Sequence, residues 1–139
     1  MRRILAIDDD TNTGNWMRIV LRGGGVGCQI TTVGTGRQAF RLLSTEQFDL
    51  CILEYALPDM TGVQFCTLMR QTGSKVPMLF FTVMNRSIDR AKAMKAGADA
   101  YLSKPEDLDV FASTVDRLLN GGPTVGSKSS RIVELARAA

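Results

Sequence analysis

Residues 49–62 read DLCILEYALPDMTG. The apolar run 50–53 has strand length and no alternation of polar with apolar positions, so it reads as a strand buried on both faces. It stops at Glu54, passes through a loop carrying Pro58 to Gly62, and enters a segment where Val63, Cys66 and Met69 recur at helical spacing. The same beat extends in both directions. Apolar runs at 4–7, 29–33, 78–81 and 100–102 are each followed by a helix-spaced set, such as Trp16, Ile19 and Val20, or Phe111, Val115 and Leu118. Glycines at 23–25, 73 and 97 punctuate the helix ends, and Pro77 and Pro105 flank strands. Five such units predict an α/β fold, a doubly wound parallel sheet covered by helices on both faces.

The chain has 139 residues, room for one ordinary domain. Residues 1–120 are taken as that domain. Residues 121–139 open with GGPTVGSKSS, which has linker composition, and end in RIVELARAA, long enough for two helical turns. Formal net charge is +3, but the basic excess lies in 121–139 and the body is nearly balanced, so nothing in the overall charge points to nucleic acid. No apolar run approaches a membrane span, and three aspartates interrupt the only N-terminal apolar stretch, so a cytoplasmic location is expected. Cys28, Cys51 and Cys66 are widely spaced in apolar surroundings and read as buried reduced thiols. There is no histidine, which removes the commonest general base and most transition-metal sites.

Ligands of an open α/β sheet bind outside the carboxyl ends of its strands. Here the first strand ends in Asp8, Asp9 and Asp10, the third in Glu54, the fourth in Thr82, and the fifth is followed by Lys104 and Pro105. Asp8, Asp9 and Glu54 would put three carboxylates beside the one ammonium of Lys104, and they repel one another unless a cation neutralises them. Carboxylates with a loop carbonyl suit Mg²⁺, so Mg²⁺ is the expected ion.

These stretches resemble the receiver domain of bacterial two-component response regulators, over residues 2–120. IDDD matches the family's acidic pair at Asp8 and Asp9, DLCILEYALPDMTG its phosphoacceptor strand and loop, and FFTVM its hydroxyl residue at Thr82. GADAYLSKP supplies the switch aromatic Tyr101, then Lys104 and Pro105, whose peptide bond is typically cis in such domains. The resemblance implies a flavodoxin-like (βα)5 sheet of strand order 2-1-3-4-5. It implies Mg²⁺ held by Asp8, Asp9, position 54 and the backbone carbonyl of Ala56, and a signalling module rather than an enzyme. It also implies protein partners: a histidine kinase, a phosphotransfer protein or a downstream output domain. In the family the hydroxyl residue moves toward the phosphoryl group and the aromatic ring turns inward.

One departure decides the mechanism. The family's acceptor is an aspartate, and here it is Glu54. The extra methylene displaces the carboxylate by roughly 1.5 Å, and a misplacement of about 1 Å can cost on the order of 100-fold in rate. Val83 stands where the family has a small residue and is expected to narrow the pocket, while Ala56 and Met84 offer no side chain to orient water. The expected function is therefore that of an atypical receiver, acting through protein contacts with little or no phosphorylation. Glu54 either imitates the phosphorylated state or pairs with Lys104 and holds one conformation. The alternatives are a receiver that does accept phosphate in a Mg²⁺-dependent reaction, and a structural dimerisation module.

A rival reading comes from VGTGRQA at 33–39, which satisfies G-x-G-x-x-A with Glu54 18 positions after Gly36, as in a dinucleotide-binding fingerprint. The fourth helix carries Arg86, Arg90, Lys92 and Lys95 against Asp89. That stripe is either solvated or a docking face, for an acidic partner or for a homodimer in which Asp99, Asp107 or Asp109 supplies the opposite charge.

Overall fold

A computed structural model of the chain describes residues 1–121. The predicted linker and terminal helix at 122–139 lie outside the described residues. The elements run β1 (Arg2–Ile7), α1 (Thr11–Gly23), β2 (Cys28–Val33), α2 (Gly36–Leu43), β3 (Leu50–Leu53), α3 (Gly62–Gln71), β4 (Met78–Thr82), α4 (Ser87–Ala96), β5 (Ala100–Ser103) and α5 (Phe111–Leu119), with a short 3₁₀ turn at Leu108–Val110 before the last helix. The five strands are parallel in the order β2-β1-β3-β4-β5.

Successive strand residues point to opposite faces, and both faces are covered, which is why these strands read as unbroken apolar runs. Leu5, Ile7, Cys51, Leu53, Met78, Phe80 and Tyr101 pack with Phe65, Cys66, Met69 and Ala93 beneath α3 and α4. Their neighbours Ile4, Ala6, Leu50, Ile52, Leu79, Phe81 and Leu102 face Met17 and Leu21 of α1 and Phe111, Val115 and Leu118 of α5. The edge strand β2 departs from the expectation: Gln29 and Thr32 are exposed, because only one neighbouring strand and one sheet edge shelter it.

Register fixes the site. Ile7 lies opposite Leu53, and Leu53 opposite Phe80, so β1 and β3 end together while β4 runs two residues further, to Thr82. The next residues are tied across the sheet: Asp8 N–H donates to Val33 O at 3.0 Å, Glu54 N–H to Ile7 O at 3.0 Å, and Lys104 N–H to Thr82 O at 2.7 Å. The bond between Lys104 and Pro105 is cis. Among the described residues no helix is long and apolar enough to cross a membrane.

Candidate functional site

Asp8, Glu54, Thr82 and Lys104 meet at the carboxyl edge of the sheet. Lys104 Nζ sits 3.4 Å from Glu54 Oε1 and 3.6 Å from Asp8 Oδ2. All three side chains are largely shielded, with 22%, 13% and 9% of Lys104, Glu54 and Asp8 exposed. The ammonium also lies 4.9 Å from the Phe81 ring centroid. Burial pushes the Asp8 carboxyl above its ordinary range; the Asp10 N–H and Lys104 oppose that shift, and the Glu54 charge reinforces it.

Glu54 uses its extra length to turn along β4. Its Oε2 accepts the Tyr55 N–H at 2.7 Å and the hydroxyl of Thr82. Thr82 Oγ1 in turn accepts the Met84 N–H at 3.2 Å, and the Met84 carbonyl accepts the hydroxyl of Tyr101. Tyr101 is buried, 3% exposed, and stacks on Phe80 with centroids 5.6 Å apart. A continuous chain of hydrogen bonds therefore runs from the acceptor position to the aromatic residue and onward to α4, where Arg90 lies over the Tyr101 ring at 4.9 Å and donates to its carbonyl at 2.9 Å. Met84 entered the sequence reading only for its side chain. Its backbone carries the link, and no side-chain pattern announces a backbone donor and acceptor.

The backbone at position 54 is held as firmly as the side chain. A Cβ on Gly62 would lie 2.6 Å from the Glu54 carbonyl oxygen and 2.8 Å from the Phe80 ring, so only glycine lets α3 start this close to β3. Thr61 and Gln64 form a reciprocal cap that starts α3, and Ala56 bridges back to Thr61 to close the loop between them.

Other expected site residues fall elsewhere. Asp10 caps α1, accepting the Asn12 N–H, and Asp9 is exposed. Asp8, Asp9 and Asp10 line a cavity of about 160 Å³ that faces β2 through Thr32, Val33 and Gly34, and Glu54 is not part of it. The Mg²⁺ set Asp8, Asp9, Glu54 and Ala56 is accordingly not gathered: no group of three acidic residues among those described stands close enough to share an ion. The cause is the reach of Glu54 toward Thr82, with Lys104 between the two buried carboxylates. This donor arrangement does not fit Mg²⁺, although receiver domains generally bind that ion. Val83 is 66% exposed, so the narrowing expected of it is confined to the rim.

The dinucleotide reading of 33–39 is corrected by α2. The Gly36 and Arg37 amides that would cradle a pyrophosphate already donate to the Asp59 carboxylate, each at 2.9 Å. Those bonds hold the Asp59 carboxyl below its ordinary value. Gly36 is bare because Met60 packs on it: a Cβ there would lie 2.5 Å from the sulfur.

On α4, Arg86 grips Asp89 through two 3.0 Å bonds and Arg90 is committed to Tyr101, which leaves Lys92 and Lys95 without an ion pair among the described residues. Two of the acids expected to face this stripe are also engaged. Asp99 pairs with Arg70 at 3.1 Å and accepts the Met78 N–H, and Asp107 accepts the Ser103 N–H at 2.8 Å. Cys51 and Cys66 are buried thiols as expected, whereas Cys28 is half-buried.

The comparisons agree with this geometry. Residues 4–116 match the family model for the response regulator receiver domain. The transcriptional regulatory protein PcoR of Escherichia coli is 34% identical over 119 residues, which cover 86% of this chain and 52% of PcoR. The DNA-binding response regulator MtrA of Mycobacterium tuberculosis is 35% identical over 104 residues, 75% of this chain and 44% of MtrA. The chain thus spans about half the length of the curated relatives it matches. Among solved structures, the BeF3-activated receiver domain of DrrB, a Thermotoga maritima protein, superposes with a TM-score of 0.75 at 27% identity, covering 86% of this chain and 98% of that one. A five-stranded sheet in this order, with acid, hydroxyl and lysine at one edge and a family match over most of its length, places the chain among the response regulator receiver domains.

Proposed function

We propose that this receiver works as a protein-interaction module whose contact surface is set by Glu54 itself, with little or no dependence on phosphorylation. The observation that carries the reading is the hydrogen-bonded chain Glu54–Thr82–Met84–Tyr101. In the family an inward hydroxyl and an inward aromatic ring accompany phosphorylation; here a carboxylate supplies the acceptor that draws both inward. Lys104 pairs with the Glu54 carboxylate at 3.4 Å, in the place where it would meet a phosphoryl group. The imitation is partial, since a carboxylate brings one charge and two oxygens against the −1.5 to −2 and three oxygens of a phosphate, roughly.

Partners follow from the family: a histidine kinase or phosphotransfer protein upstream, or an output domain downstream. PcoR is named a transcriptional regulatory protein and MtrA a DNA-binding response regulator, and the nearly neutral body of this chain suits contact with an output domain better than contact with nucleic acid. Position 8, position 54, Thr82, Tyr101 and Lys104 are the residues assigned to the switch; the open lysines of α4 are assigned to the docking face, for a partner or a second copy.

The test is intact-mass measurement of wild type and Glu54→Asp after incubation with Mg²⁺ and acetyl phosphate. An adduct on the variant alone is expected. An adduct on the wild type would overturn the proposal and restore a phosphorelay role, and no adduct on either would show that more than Glu54 disables the acceptor site.

A further inference from the structure

The acidic edge of the sheet holds four carboxylates and one ammonium, and the way they are paired bears on which cation the site can take. Each oxygen of the two shielded carboxylates has a partner. Asp8 Oδ1 accepts the Asp10 N–H at 2.9 Å and Oδ2 faces Lys104; Glu54 Oε1 faces Lys104 and Oε2 takes the Thr82 hydroxyl and the Tyr55 N–H. Lys104 stands between them, its ammonium against the face of Phe81. Asp9 and Asp10 line a cavity on the β2 side that Asp8 borders and Glu54 does not reach; Asp10 also borders the pocket beside Lys104 and Phe81.

We infer that Lys104 is the resident cation of this site and that the domain does not take up Mg²⁺ there. Mg²⁺ requires near-octahedral oxygen ligands at about 2.0–2.1 Å and gives up water reluctantly. To seat it, Glu54 would have to release Thr82 and the Tyr55 amide, and Lys104 would have to withdraw from between two carboxylates. An aspartate at position 54 stops about one C–C bond short, roughly 1.5 Å, and so leaves an oxygen beside Asp8 instead of at Thr82. The single methylene that reaches Thr82 is thus also what removes a metal ligand. The inference concerns the same residues as the proposed function but fails separately from it, because it is read by metal binding and not by phosphoryl uptake or partner contact.

The probe is the ion alone. Full-length wild type and Glu54→Asp are titrated with MgCl₂ by calorimetry, and with trace Mn²⁺ by amide NMR, where paramagnetic broadening locates the ion. Wild type should give no saturable heat, and no broadening at residues 8–10 and 54–56 beyond that at the exposed Asp109. Glu54→Asp should bind at this edge with affinity at least about tenfold higher. Saturable binding to wild type at residues 8 and 54 would overturn the inference. Absence of binding to both chains would overturn its cause, the reach of Glu54. Phosphoryl uptake by wild type in the presence of EDTA would sink the proposed function while leaving this inference in place.

Discussion

Asp8 is a carboxylate kept where a carboxylate is uncomfortable. Burial raises its pKa in the folded chain, so the native state binds that proton more tightly than the unfolded one. Its contribution to stability is therefore greatest below the ordinary aspartate pKa, declines as pH rises from there to the raised folded value, and stays low above it. Asp8→Asn removes the charge while keeping an oxygen for the Asp10 N–H. It should raise the thermal midpoint at neutral pH, with the gain over wild type shrinking as the solution is acidified. A variant that melts lower at neutral pH would mean that the pair with Lys104 outweighs the cost of burial. Stability sacrificed at a charged cluster is the usual mark of a site shaped for function.

Among the elements, Arg70 shows what joins α3 to the lower end of the sheet. Its guanidinium donates to Gly97 O at 3.1 and 2.8 Å, to Ser74 O and Val76 O at 3.1 and 2.7 Å, and to Asp99 at 3.1 Å. Asp99 also receives the amide that begins β4. A lysine has neither the planar fork nor enough donors for these acceptors, so Arg70→Lys should lower the unfolding free energy by about 2 kcal/mol in a urea titration. Unchanged stability would show that water replaces the lost bonds. None of this was legible in the sequence, where Arg70 is one basic residue on an amphipathic helix. What could be read was whatever side chains encode by periodicity or by position at a strand end: the five strands, the helices between them, and the meeting of Asp8, Glu54, Thr82 and Lys104. The links made through backbone groups, by Met84, by Gly97 and by the Gly36 and Arg37 amides on Asp59, could not. The 33–39 fingerprint misled for the same reason, since its glycine answers to Met60 from a loop more than twenty residues away.

Across the whole molecule, the two-sided core sets which groups solvent can reach. Burial pushes the Cys51 thiol up to about 12 and the Cys66 thiol up to about 11, and both lie under helices on one face of the sheet. Neither forms much thiolate near neutrality. A thiol reagent followed by intact mass should label the native chain at Cys28 first. Cys51 should react only at the rate of global opening, so that its labelling slows with every stabilising substitution. Fast labelling of Cys51 in native buffer would show that β3 opens locally, which is incompatible with the central position of that strand. The close seating of Gly62 on the carbonyl of residue 54 has one more consequence, for how such a domain can evolve. With the main chain at that position clamped, exchange of glutamate for aspartate leaves the backbone in place and alters only what the side chain reaches, and the two codon sets differ only in their third base. If Glu54 sets the signal as proposed, a lineage can move between a chemically charged signal and a genetically fixed one in a single mutational step, without rebuilding the scaffold that reads it.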